Sequence, residues 1–302
     1  MSSFSSASSP ALTTGRATRR KSRAKGSTPR AALLYALLIG ISAIFLLPLV
    51  WMISTSLKTN AEAYTWPPIL VPSVLRFANY VEAWNYQNTQ FTRWTVNTIV
   101  ITLTVLTGTL ISSTLCAFGF ARIRFPGRNF WFIFTIATIM LPEQVTLIPL
   151  YIAFFKIGWL DTFNPLIFPA WFGGGALNIF LLRQFFMGIP TELEDAAYID
   201  GASRLQILMR IFVPLSMPGI LTVTIFTFQA VWNDFYRPLI YLRSLEKFTL
   251  ALGINQFNGL YGQTQMQYMM AVAFLMTIPM IVVFFVAQHS FIRGIVLTGV
   301  NR

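Results

Sequence analysis

The sequence predicts an all-α integral membrane protein with six transmembrane helices, and three observations carry that reading. Of its 302 residues 55% are hydrophobic and only 11% charged, whereas a soluble domain carries roughly 25% charged residues. Uncharged stretches recur along the chain, each near the ~20 residues that cross the hydrocarbon at a rise of about 1.5 Å each. Basic residues collect between alternate stretches, the bias of cytoplasmic loops.

Residues 1–30 stand apart as a first region. They are Ser, Thr, Ala, Arg and Lys, with seven basic residues from Arg16 to Arg30 and no acid among them. With so little to bury they are expected to be disordered, a cytosolic tail able to touch anionic headgroups. A signal peptide would have a shorter apolar run closed by a small-residue cleavage site, and neither follows.

Residues 31–302 form the membrane domain. Ala31 to Ile53 is the first span, with Trp51 where an interfacial aromatic belongs. A polar and aromatic stretch from Ser54 to Thr92, with Pro67, Pro68 and Pro72, suits an outer-face docking loop. Arg93 and Arg122 bracket the second span. The short basic turn of Arg122, Arg124 and Arg128 places the following loop in the cytosol. The third span is expected to run from Asn129 through Pro142 and Glu143 to about Ile152. The fourth lies between Asp161 and Arg183, interrupted by Gly173, Gly174 and Gly175; these glycines either let spans approach closely or break the helix beside a cavity. A fifth runs from about Met217 to Val231 and a sixth from Met269 to Ala287. Six spans put both chain ends inside. Fifteen of the 22 basic residues then fall on the cytosolic side, nearly half of them in the tail.

The segment from Pro190 to Pro218 departs from this pattern. It holds four of the ten acidic residues: Glu192, Glu194, Asp195 and Asp200. Thr191 and Glu194 have the spacing of a capping box, as do Ser203 and Gln206. Gly201 suits the left-handed residue that ends a helix, and the second helix is expected to stop near Val213 because Pro214 lacks a donor. Ala196 and Ala197 leave one side of the first helix almost bare, open to close approach by another protein. A plain solvated linker would need less order.

This segment resembles the EAA loop of binding-protein-dependent ABC importer permeases, whose pattern is E-A-A, three residues, Gly, nine residues, then I-x-L-P. Here Asp195, Ala196 and Ala197 are followed at that spacing by Gly201, and Ile211 to Pro214 closes the pattern. Asp195 stands for the pattern's Glu, with Glu194 just before it, and Val213 stands for Leu. The following D-G-A-S and P-L-S-M-P are similar to the sugar-importing branch, near the smaller permease subunit of maltose-type transporters. The resemblance spans about Ala31 to Arg302. It implies the type I importer permease fold in a bacterial or archaeal plasma membrane, with a coupling loop over 184–215. It also implies a second homologous permease, two ATP-binding subunits and an extracytoplasmic solute-binding protein. The capped helix would then sit in a cleft of the ATPase and transmit its closure, through Glu194, Asp195, Ala196, Ala197, Asp200, Gly201, Ile211 and Pro214. An outer loop carrying Asn258, Gly259, Tyr261 and Gly262 would reach the binding protein.

Chemistry within the chain is sparse. No phosphate-cradling G-x-x-x-x-G-K-[ST] loop occurs, so ATP and Mg belong to a partner and no cofactor is expected here. One Cys and one His give neither a disulfide framework nor a metal site. Cys116 reads as packing and His289 as an interfacial hydrogen bonder. The net charge of +12 comes without a basic stripe interleaved with aromatics, which argues against nucleic acid. Catalysis by this chain is not expected.

For the solute path, Glu143 lies either in a cavity or at the outer interface. Asp234 and Arg237, three apart, suit an ion pair. Together with Trp232, Asn233 and Tyr236 they form either an aromatic belt or a sugar site, where rings stack on C–H faces and amides bind hydroxyls. A stand-alone ion- or proton-coupled carrier is the competing function, but it would place ionisable residues in several spans and show repeated halves.

Overall fold

A computed structural model describes residues 29–87, 89–258 and 264–298. Most of the expected basic tail, and three residues of the expected outer contact loop, Gly259, Tyr261 and Gly262, lie outside them. The chain divides into two units, Met1–Pro48 and Leu49–Arg302.

Helix α1 (Pro29–Ser56) runs across the division and begins two residues before the expected start. In the first unit it exposes Leu33, Ile39, Ile44 and Phe45 around its whole circumference. A helix apolar on every side is built for lipid or for a partner in lipid.

The second unit is built on α3 (Phe91–Arg122), after a short α2 (Ala78–Trp84). Helix α3 buries a stripe of Trp94, Thr98, Ile101, Val105, Thr109 and Ser112, at the three-to-four spacing of one helix face. Much of that stripe is small or hydroxylic. Thr98, Ser112 and Ser113 return their protons to the turn before, as Thr98 does to the Trp94 carbonyl at 2.8 Å. Such self-satisfaction is what an apolar surrounding demands, and small residues let neighbours come close. A Cβ on Gly108 would lie 2.6 Å from Trp171.

Two of the expected spans, the third and the fourth, are broken rather than straight. The third splits into α4 (Arg128–Ala137) and α5 (Glu143–Lys156), bent by 97°. Pro142 is the cause: a residue before proline is driven from the α region, and Leu141 is extended with ψ of 111°. The fourth consists of α6 (Asn164–Gly173) and α7 (Ala176–Met187). Gly174 and Gly175 between them take φ of +57° and +79°. Gly174 also lies against α3, where a Cβ would come within 2.6 Å of the Ser113 backbone nitrogen. The glycines therefore do both of the things open from the sequence.

Helix α8 (Thr191–Ile199) precedes α9 (Arg204–Leu215), which turns by 81° into α10 (Met217–Trp232). Helix α9 ends at Leu215, two residues past the expected stop near Val213. Its turn over Leu208–Phe212 widens to a π-helix, and Pro214 then sits in a fresh last turn of Val213–Leu215. After the short α11 (Tyr236–Tyr241) comes α12 (Met266–Thr298), which begins three residues before the expected span and continues beyond its end. Among the described residues four helical stretches are long and apolar enough to cross a membrane, or up to six if each bent pair counts as one.

Of the three buried clusters among the described residues of this unit, two bear on the sites below. One packs Phe118, Leu182, Phe186, Ile207, Phe212 and Val223 and holds the α8–α9 segment. Phe118 and Phe186 meet Phe212 edge-on at 5.1 and 5.6 Å between ring centres. The other packs Phe91, Trp94, Trp232, Leu250, Phe257 and Val272.

Candidate functional site

The α8–α9 segment is built as a rigid joint with an outward surface. The residue ahead of α8 is Pro190, and no side chain caps the helix. The capping box expected from Thr191 and Glu194 is thus absent: Thr191 already lies in the first turn, and Glu194 turns away to Arg122. Their nearest atoms, Arg122 Nη1 and Glu194 Oε2, are 3.7 Å apart, with side chains only 8% and 13% exposed. Arg122 Nη2 also donates to the carbonyls of Phe186, at 2.7 Å, and Ile189. One guanidinium at the end of α3 thereby ties α7, the following turn and α8 together.

The far end of α8 closes as the sequence suggested. Gly201 takes φ of +79°. The Ala202 N–H donates to the Ala197 carbonyl at 2.9 Å and the Gly201 N–H to that of Tyr198 at 3.0 Å. This is the Schellman pattern that satisfies the last helix carbonyls. Ser203 then caps α9: its backbone N–H donates to Gln206 Oε1 at 2.8 Å, and the Gln206 N–H to Ser203 Oγ at 3.4 Å.

The two alanines part company. Ala197 packs on the segment's own core, so a larger residue there would disturb this chain before it met a partner. Ala196 faces outward beside exposed Asp195 and Asp200. Ile199, absent from the candidates read in the sequence, is 87% exposed, and Leu205 and Met209 on α9 are more than half exposed. Among the described residues Glu192, Asp195 and Asp200 make no ion pair. An exposed apolar residue beside acids without ion pairs has the character of a contact surface. Ile211 is half-buried against the core, and Pro214 is exposed.

The chain matches the family described as "Binding-protein-dependent transport system inner membrane component" over residues 108–296. It belongs to that family. It is 31% identical to the probable ABC transporter permease YurM of Bacillus subtilis, covering 82% of this chain and 81% of that protein. It is also 31% identical to the trehalose/maltose transport system permease MalG of Thermococcus litoralis, over 86% and 92% of the two chains. Among solved structures, a bacterial ABC transporter for import of the acidic polysaccharide alginate superposes with a TM-score of 0.75. That match has 26% identity and covers 86% of this chain and 96% of the other.

A second candidate feature is a cleft of about 420 Å³ bounded by α3, α6, the Gly174–Gly175 break, α7 and α10. Thr109, Asn178, Phe226, Thr227 and Arg237 line it. Arg237, which the sequence pairs with Asp234, gathers both acids: its Nε is 2.6 Å from Asp234 Oδ2 and 3.7 Å from Glu143 Oε1. Glu143 opens α5 just past the Pro142 break and is well exposed. Asn233 and Tyr236 are exposed, Asn233 with its amide on the Gln229 carbonyl at 3.0 Å. Trp232 does not join them. It is 4% exposed, stacks on Phe228 and donates its indole N–H to the Met276 carbonyl, so its ring faces are closed to a sugar in this conformation. Asn258 is exposed, with its amide on Asn255.

Asp161 was overlooked in the sequence except as a span boundary. Its carboxylate accepts from the N–H of Arg243 at 3.0 Å and that of Ser244 at 2.9 Å, from Ser244 Oγ at 2.5 Å and from Lys247 Nζ at 3.0 Å. Burial works to raise its pKa, but the bonds from Ser244, Arg243 and Lys247 prevail and hold it well below the usual carboxylate range. This one side chain pins the loop before α6 to the loop after α11. A lone acid between two spans gives no sequence signal that its donors lie 82 to 86 residues away.

Proposed function

We propose that the chain is one of two permease subunits of an ATP-driven importer for a sugar or oligosaccharide, with six spans and both ends cytosolic. ATP and Mg are bound and used by two partner ATPase subunits, while this chain binds no cofactor and performs no hydrolysis. The observation that carries the reading is α8, fixed to the core by Arg122 and Glu194 while presenting Ile199 among unpaired acids. A helix so rigidly held passes a push to the ends of α3 and α7 instead of absorbing it.

The cleft suits a polyhydroxylated solute. Thr109, Asn178 and Thr227 offer hydroxyls and an amide beside the apolar Phe226, the mixture of a few placed polar groups on an apolar wall that small-molecule sites use. Glu143, Asp234 and Arg237, with Asn233 and Tyr236, form its charged margin. The sugar class is supported by the relatives named for trehalose, maltose and alginate. An extracytoplasmic binding protein delivers the solute, with Asn258 and the loop beyond it as the contact.

The whole transporter, reconstituted with its binding protein, tests this with a panel of radiolabelled oligosaccharides. Uptake should require ATP, and Ile199→Asp should cut ATPase co-purification and uptake at least about tenfold, the loss of roughly 1.4 kcal/mol of binding. Uptake driven by a proton gradient without the ATPase would overturn the proposal.

A further inference from the structure

Beside α8 lies a cavity of about 520 Å³ whose charge is not balanced. Arg122, Arg124, Arg128 and Arg204 line it, against Glu194 and Asp195. Glu194 is engaged by Arg122. Among the described residues Arg124, Arg128 and Arg204 have no acidic partner within 4.0 Å, leaving three cations to Asp195. Arg122, nine-tenths buried, keeps an Nε–H with no acceptor. Two helices also begin at this cavity, α4 at Arg128 and α8 at Thr191, and neither has a side-chain cap. Their free N–H groups add positive potential.

The cavity has an apolar neighbour. A second cleft of about 360 Å³ shares Arg124 and Arg128 and is walled by Phe125 and Phe130. From there α4 exposes Phe130, Ile133 and Phe134 along its length, each more than half exposed. A basic hollow opening onto an aromatic track at the end of a spanning helix has the form of an amphiphile site. We propose that this cavity binds the phosphate headgroup of an anionic phospholipid, with an acyl chain lying along Phe125, Phe130 and Phe134. Only the leaflet, cytosolic, rests on the orientation proposed above. A soluble phosphate would use the arginines and leave the aromatic track without purpose. A headgroup wedged between the basic turn and α8 would brace the joint that Arg122 makes.

The test uses the full-length chain purified with its partner subunits, titrated with dioctanoyl phosphatidylglycerol and, in parallel, dioctanoyl phosphatidylcholine, and read by native mass spectrometry. Phosphatidylglycerol should be retained and phosphatidylcholine not. Arg124→Gln with Arg128→Gln should weaken retention about thirtyfold, at roughly fivefold per basic residue near a lipid surface, and the double Lys variant should restore most of it. Arg204→Gln, at the opposite wall, should weaken it about fivefold and serves if the double variant fails to assemble. Equal retention of both lipids, or retention unchanged in the Gln variants, would overturn the proposal. Displacement of phosphatidylglycerol by an equal concentration of glycerol phosphate would assign the cavity to a soluble phosphate instead. Lipid held only after the ATPase is stripped away would assign it to an acidic segment of that partner.

Discussion

The α8–α9 joint and the Asp161 clamp both use a buried or half-buried charge to hold loops, and they end in opposite states. Asp161 is saturated: four donors from Arg243, Ser244 and Lys247 close on one carboxylate, and nothing is left over. At the joint Arg122 takes a single acid and two carbonyls. Among the described residues Glu192, Asp195 and Asp200 make no ion pair, and Ile199 stands out at 87% exposure. Saturation makes a closed piece of architecture. Leftover charge around an exposed apolar residue makes an interface, because a monomer gains nothing from keeping them so.

The contrast is broken most forcefully at Arg122. Arg122→Met removes the tie and strands Glu194, a loss of about 3–5 kcal/mol for one partner of a buried pair. Hydrogen exchange over 191–199 should accelerate at least about a hundredfold, while the spans remain inserted. Exchange unchanged in that variant would mean α8 is held by apolar packing alone.

At the clamp, Asp161→Asn keeps the side chain's tolerance for its φ of +57° and removes only the charge. It should lower unfolding stability by about 2 kcal/mol, the range for hydrogen bonds to a charged group. The pH dependence has a definite sign. A carboxylate with a depressed folded pKa contributes fully above its unfolded value of about 3.9, and that contribution is lost as pH falls toward the folded one. Thermal denaturation of the two proteins should therefore differ equally at pH 7 and pH 5 and converge below about pH 4.

The smallest effect is expected at Gly201. A Cβ there meets nothing within 4 Å, so Gly201→Ala costs only the left-handed conformation, roughly 1 kcal/mol. Binding-protein-stimulated ATP hydrolysis should fall in part, with the chain still assembled. A complete loss of assembly would show that Gly201 does more than terminate α8.

How far the sequence could be read follows the range of the interactions. Gly201, the Ser203–Gln206 cap and the first, second and sixth apolar stretches are set by residues a few positions apart, and these appear where their spacing put them. The expected Thr191 cap failed because Glu194 had a better partner 72 positions upstream, a pairing invisible along the chain. The bend at Pro142 was legible in principle, since proline restrains the residue before it; reading through it as one straight span gave length priority over local sterics. Trp232 looked like a sugar platform by residue type, and only the packing of Phe228 and Met276 around it decides otherwise. Ile199 carries no signal at all in sequence, since an isoleucine in a helix reads as core until its neighbours are placed.

The central claim is that α8 meets the ATPase through its outward face. In a Cys116→Ala background, single cysteines at Ile199 and at Ala197 are compared for disulfide cross-linking to cysteines introduced along the ATPase cleft, within the assembled transporter. The account predicts a cross-link from position 199 that changes in yield between ATP-bound and ATP-free states, and none from position 197, which packs inward. Cross-linking from 197 but not 199, or from neither while ATP-driven uptake persists, would contradict it.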